Sequence, residues 1–171
     1  MTAAVANRGF YYTPHILKKV GDSINKDKKY STPKFTTIAP QHFEPVIEGM
    51  FNVFEIGTAR GSKISDIQIC GKTGTAENFK RINGERIQFT DHSIFIAFAP
   101  KDDPKIAIAV FVENGYWGSR WAAPIASLMI ERYIKGEIKR DWLEKRMLEG
   151  SLEEEYNKQL EIENYVAQKE E

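Results

Sequence analysis

Between residues 40 and 56 the apolar positions step by three and four: Phe43, Val46, Ile47, Met50, Phe51 and Phe54. That period lines them along one side of a helix. Pro40 suits a first turn, Pro45 delays the true start, and "GTARGS" ends the helix. Two later runs, "SIFIAFAP" and "KIAIAVFVENG", are apolar almost throughout and are joined by "KDDP". The short connection predicts an antiparallel hairpin, and the continuous apolar character predicts that both faces are covered. "WAAPIASLMIERYI" predicts a helix over one of those faces, packed through Ile125, Leu128 and Met129. Ile67 to Cys70 lead a further strand into "GKTGTAE".

The N-terminal part is less regular. Residues 1 to 8 read as the last turns of a helix closed by Gly9. "FYYTPHILKKV" is aromatic and β-branched, hence extended; "GDSINKDKKYSTPK" is a polar, lysine-rich surface loop; "FTTI" is a short strand. From residue 137 onward charge dominates, with Trp142, Leu143, Met147 and Leu148 as a thin apolar stripe. From Glu149 to the end there are eight acids and two lysines, which predicts either a solvated helix or a frayed tail. The pattern is that of an α+β domain over residues 1–136, an antiparallel sheet with packed helices, followed by a charged tail over 137–171.

Composition narrows the function classes. With 171 residues and 42% hydrophobic content, the chain is long and apolar enough for one domain with a core. Lys+Arg and Asp+Glu are both 24, so no net charge argues for nucleic acid or an anionic membrane surface. A single cysteine, Cys70, excludes an intramolecular disulfide and any multi-cysteine metal site, and its place on an apolar strand predicts a buried, inert thiol. No apolar segment is long enough for a transmembrane helix, and "MTAAVANRGF" lacks the basic leader and apolar run of a signal peptide.

"KTGT", residues 72–75, carries the chemistry. Lys72 supplies a point charge, either for a substrate carboxylate or for lowering a neighbour's pKa. Thr73 and Thr75 supply hydroxyls for the same carboxylate. Gly74 permits close approach of a substrate backbone, and a free strand edge can pair with a peptide-like substrate. Lys-Thr-Gly is one of three short motifs that mark penicillin-recognising serine enzymes.

The surroundings make the motif specific. "MTAAVANRGFYYTPHILKK", "VIEGMFNVFEIGTA", "ICGKTGTAE", "DHSIFIAFAPKDDPKIAIAVFVENG" and "WAAPIASLMIERYI" occur in that order. In this the chain resembles the C-terminal half of the transpeptidase domain of class B penicillin-binding proteins, the rod-elongation type, over about residues 1–136. The resemblance implies a penicillin-binding protein or serine β-lactamase-like fold and a peptidoglycan D,D-transpeptidase that acts on stem peptides and is trapped by β-lactams. It implies no metal or organic cofactor, and a periplasmic or extracytoplasmic location for the intact parent. Lys72, Thr73, Gly74 and Thr75 would line the cleft. The backbone N–H of Thr75 would be one oxyanion donor, the other being that of the nucleophilic serine.

That serine should open a helix as Ser-x-x-Lys. "STPK", Ser31 to Lys34, matches literally, and "SIN", Ser23 to Asn25, matches the family's second motif, Ser-x-Asn. Both read as chance matches: "STPK" lies in a polar loop, Thr32 before Pro33 is biased to extended backbone, and the order of the two motifs is reversed. The nucleophile is therefore expected upstream of Met1, with the missing N-terminal half of the domain as a partner. Two other readings remain: a catalytically silent binding or scaffold module, and a free-standing serine β-lactamase, which would need the same missing serine.

Of the remaining candidates, His92 and Glu77 are further cleft positions. His92 is read first as a structural histidine with satisfied hydrogen bonds, and Glu77 either pairs with Lys72 or faces solvent. Asp91 is a turn or capping residue and His15 is structural. The aromatics of "WGSRW", Trp117 and Trp121, are read as capping the core beneath the C-terminal helix, and Arg60 and Arg81 as surface arginines. Without the upstream half, the sheet face opposite the C-terminal helix and the helix bearing Phe43, Phe51 and Phe54 are expected to lose partners, so that the chain self-associates, binds hydrophobic dyes or is only marginally stable.

Overall fold

The computed structural model describes residues 1–17, 19–21, 23–24, 27–82 and 84–170. The chain opens with helix α1 (Thr2–Ala6), whose end is closed by Gly9 at φ +116° with its N–H on Ala4 O, 2.8 Å. Four two-residue strands follow: β1 (Phe10–Tyr11), β2 (Lys19–Val20), β3 (Ser23–Ile24) and, after the short helix α2 (Lys28–Ser31), β4 (Lys34–Phe35). β1 pairs with β4 and β2 with β3, both antiparallel.

The stretch expected to be a plain surface loop thus contains a helical turn. Asp27 starts it, its carboxylate accepting from Lys29 N–H at 2.8 Å. "FTTI" contributes only Phe35 to a strand.

A 3₁₀ turn over Pro40–His42 precedes α3 (Glu44–Glu55), so Pro45 falls in its first turn, where no N–H is needed. Ile47, Met50 and Phe54 are its buried stripe. The rest of the domain is β5 (Cys70–Ala76), the hairpin β6 (Phe79–Ile82) and β7 (Glu85–Gln88), then β8 (His92–Ala99), β9 (Ile106–Val112), α4 (Ala122–Lys135), α5 (Asp141–Glu149) and α6 (Glu153–Glu170).

The central sheet has the order β5-β8-β9, antiparallel throughout, with Lys72 opposite Ile96, Gly74 opposite Ile94 and Thr75 opposite Ser93. On one face Phe95, Ala97 and Ala99 meet Ala122, Ala123, Ala126 and Ile130 of α4, together with Phe54 and Ile69. Small side chains on both sides let helix and sheet approach closely. The Phe54 ring stands edge-on to Phe95, centroids 5.6 Å apart. A second cluster joins Ala6, Phe43, Ile47 and Met50 to Cys70 and Phe98. α3 therefore feeds both clusters and fixes β5, the strand that bears the motif.

Three expectations are corrected here. β9 is covered on one face only: Ala107, Ala109 and Phe111 are exposed, because α4 packs on the other side and α1 reaches only one end of this face. α4 meets the sheet through its alanines and Ile130, leaving Met129 exposed. Phe43 and Phe54 are buried within the chain.

Arg140 joins α4 to α5. It donates to Glu131 at 2.9 Å, to the Ser62 carbonyl at 3.0 Å and to Ser127 Oγ at 2.8 Å, and Ser127 donates to the Ser62 carbonyl. Glu131 is fully enclosed, and the guanidinium is the nearer of its two charge partners, Lys135 being the other at 3.8 Å. Among the described residues no helix is long and apolar enough to cross a membrane, and no group of three or more His, Cys, Asp or Glu could hold a metal ion.

Candidate active site

β5 is an outer strand of the central sheet, with β8 as its strand partner. Strand alternation places Thr73 and Thr75 on the face of Ser93 and Phe95, and Lys72 and Gly74 on the face of Ile94 and Ile96. Lys72 and Thr75 are exposed, Thr73 and Gly74 half-buried. The Lys72 ammonium folds back and donates to the Thr73 carbonyl at 2.6 Å. Among the described residues no carboxylate is within ion-pair range of it.

Two other segments complete a cleft of about 560 Å³ around this strand. Thr58, beyond the end of α3, places its hydroxyl 2.9 Å from that of Thr73. The loop between β9 and α4 contributes Trp117, Gly118 and Ser119. That loop is anchored by Ser93, whose hydroxyl donates to the Trp117 carbonyl at 2.8 Å and accepts from Ala122 N–H at 3.2 Å. Gly118 lies directly on the strands: a Cβ there would stand 2.3 Å from Ile94 O and 2.8 Å from Gly74 O. One cation and the hydroxyls of Thr58, Thr73, Thr75 and Ser119 thus share one opening. This set can bind a carboxylate, the lysine as a point charge and the hydroxyls as donors.

The other candidates stand apart. His92 lies on the far side of the sheet from the 117–119 loop, its ring against Phe111 (centroids 5.1 Å apart) and its Nδ1 accepting from Asn114 N–H at 3.1 Å. Glu77 does not pair with Lys72: it faces solvent, 66% exposed, and pairs with Arg86 at 2.6 Å, because the β6–β7 hairpin folds back beside it. Asp91 accepts from Asn78 N–H at 3.2 Å and from Gln88 at 2.8 Å. His15 stacks on Tyr30 at 4.6 Å, and Arg60 and Arg81 lie outside the cleft.

Cys70 is fully buried, and desolvation pushes its thiol up to about 12. Ser31 ends α2 and Lys34 begins β4, with extended backbone at Thr32 between them (φ −93°, ψ 122°). They do not share a helical face. Asn25 of the "SIN" match lies outside the described residues.

Thr58, Gly118 and Ser119 are the cleft residues that sequence patterns do not single out. Trp117 is 60% exposed at the cleft rim and does not cap the core. Trp121 packs against the end of α5, where a Cβ at Gly150 would collide with its ring.

Residues 1–131 match the family described as penicillin binding protein transpeptidase domain. Among curated proteins, the peptidoglycan D,D-transpeptidase MrdA of Haemophilus influenzae is 28% identical over 149 residues, covering 80% of this chain and 23% of its own length. PbpA of Mycobacterium tuberculosis, also a peptidoglycan D,D-transpeptidase, is 33% identical over 145 residues, covering 80% and 28%. The chain therefore spans about a quarter of the length of these relatives. Among solved structures, the imipenem acyl-enzyme complex of M. tuberculosis penicillin-binding protein A superposes with a TM-score of 0.59 at 31% identity, over 78% of this chain and 29% of that one. PBP2 of Pseudomonas aeruginosa gives 0.60 at 30% identity, over 82% and 30%. With the family matched across most of its length, the chain belongs to the penicillin-binding protein transpeptidase domain family.

Proposed function

We propose that this chain supplies the carboxylate-binding and oxyanion wall of a peptidoglycan D,D-transpeptidase, and that the nucleophilic serine comes from residues outside it. The observation that carries this reading is the convergence of Lys72 with the hydroxyls of Thr58, Thr73, Thr75 and Ser119 in one cleft on an outer strand. The terminal carboxylate of a D-Ala-D-Ala stem peptide, or the carboxylate of a β-lactam, fits that donor set. Thr75 N–H serves as one oxyanion donor. Such a donor acts where charge develops on the attacked carbonyl, and losing one costs on the order of a hundredfold or more in rate.

The reaction is acyl transfer. The serine oxygen attacks the D-Ala-D-Ala carbonyl, the peptide C–N bond breaks, and D-alanine leaves as the protonated amine. An amine of a neighbouring stem peptide then attacks the ester and restores the serine. The upstream half of the domain is the partner that brings the serine, on the extracytoplasmic side of the membrane. The imipenem acyl-enzyme of a relative at 31% identity supports this reading. So does the separation of Ser31 from Lys34, which leaves "STPK" without the geometry of a nucleophile and its base.

Two measurements test it. Intact mass after incubation with benzylpenicillin should show the 171-residue chain unmodified. A chimera in which residues 1–131 replace the matching segment of M. tuberculosis PbpA should be acylated, and Lys72→Ala should slow that acylation about 10- to 100-fold through loss of a charge-assisted contact. A stoichiometric adduct on the chain that disappears in Ser31→Ala, or an unchanged rate in Lys72→Ala, overturns the reading.

A further inference from the structure

α6 lies outside residues 1–131, yet it reaches back to the wall of the cleft. Three polar side chains spaced four residues apart, Glu155, Gln159 and Glu163, face the domain: the first two meet the 113–120 loop, as does Tyr156, whose hydroxyl donates to Glu113 at 3.3 Å, and Glu163 meets the β6–β7 hairpin. The four-residue spacing sets those three on one stripe of the helix. Glu155 meets Arg120 at 3.6 Å, Gln159 Oε1 accepts from Asn114 Nδ2 at 3.0 Å, and Glu163 accepts from Lys80 at 2.5 Å. Asn114 and Arg120 bracket the three cleft residues Trp117, Gly118 and Ser119.

Asn114 is the centre of this contact. It is buried, holds a left-handed backbone (φ 53°), and its Oδ1 accepts from Asn78 Nδ2 at 3.0 Å. Asn78 lies two residues beyond the end of β5, so one buried amide links α6, the loop and the motif strand.

We propose that α6 is a latch that holds the 113–120 wall of the cleft against β5, with Gln159 and Asn114 as its positioning residues. Its make-up is that of a releasable contact. Lys80 and Arg120 are about half exposed, 56% and 49%, and exposed ion pairs are individually weak and screened by salt. A cavity of about 170 Å³ remains between α6 and the hairpin, beside Phe89, Tyr116 and Ile162. Engaged, the latch keeps Ser119 and Trp117 over Thr73 and Thr75; released, it frees that wall to move away. The catalytic consequence rests on the transpeptidase reading; the latch itself does not.

Hydrogen exchange on the 171-residue chain tests it. The amides of Asn114, Tyr116 and Arg120 bond to His92 Nδ1, Asp91 O and Trp117 O, so they report the loop directly. Gln159→Ala should speed their exchange about fivefold, the worth of one hydrogen bond, and leave the Phe95–Ala97 amides unchanged. Lys80→Glu or Glu163→Lys alone should speed loop exchange, and the two together should restore it. Unchanged loop exchange in Gln159→Ala, or an equal rise in β8, overturns the proposal, the second by showing a merely structural role. In a chimera carrying residues 1–171, Gln159→Ala should also lower the second-order acylation rate about fivefold. If the unsubstituted chimera is not acylated, the transpeptidase reading fails while the exchange result still decides the latch.

Discussion

A methyl group on residue 118 would press into the backbone of both Gly74 and Ile94, at 2.8 and 2.3 Å from their carbonyl oxygens. Neither neighbour can turn aside, since both are strand backbone. Gly118→Ala should therefore lift the loop and destabilise the fold by about 1–3 kcal/mol, read from urea unfolding. The emission of cleft-rim Trp117 should shift in the folded state; an unchanged spectrum and midpoint would mean that the loop does not rest on β5. Cys70 illustrates burial acting on a titration. Desolvation raises its thiol from the ordinary 9.0 to about 12. A raised folded value means that the unfolded chain loses this proton first. The associated stability is complete below pH 9 and falls as pH climbs toward 12. Native protein should resist iodoacetamide at pH 8 and react on unfolding, whereas prompt native labelling would contradict the burial.

Among the elements, the bond network at Arg140 is the clearest tie between helices. Glu131 is 1% exposed and relies on the Arg140 guanidinium, itself only 15% exposed. Arg140→Ala leaves a buried carboxylate without its close partner and should cost about 3–5 kcal/mol. Arg140→Met combined with Glu131→Leu removes both charges and should recover most of the loss in urea unfolding, an outcome that a purely steric role for Arg140 would not produce. The elements legible in the sequence were those with long apolar periods: α3, α4 and the β8–β9 hairpin. β6–β7 was not legible, because a ribbon of Phe79–Ile82 and Glu85–Gln88 carries charge on both faces and shows no alternation; only Gly84, at φ 84°, marks its turn. β9 misled because its sequence is apolar on both faces while the structure covers one. The motif strand could be read as chemistry, since four residues lie in line. Thr58 and Ser119 could not, because they join the cleft from separate segments that only the fold unites, Thr58 through its bond to Thr73.

At the scale of the molecule, two closed clusters coexist with an open sheet face. The expectation that Phe43 and Phe54 would lack partners is not met, since both are buried. The uncovered apolar surface lies on the sheet face away from α4, on β9, where Phe111 is 56% exposed, with Ala107 and Ala109 beside it and Ile94 and Ile96 half-buried on the neighbouring strand. Phe35 at 73% and Val46 at 50% add further apolar exposure elsewhere. Monomers seldom leave a contiguous apolar patch beyond about 300–600 Å². β9 is also an outer strand, so a second copy could pair along its edge. The 171-residue chain should therefore self-associate: its sedimentation coefficient should rise with concentration, and a hydrophobic dye should bind. Phe111→Glu places a charge at the centre of the open face and should reduce both effects without lowering the unfolding midpoint by more than about 0.5 kcal/mol equivalent, as for other surface substitutions. A concentration-independent monomer that takes up no dye would mean that this face tolerates water as it stands, and the case for a covering partner would fall with it.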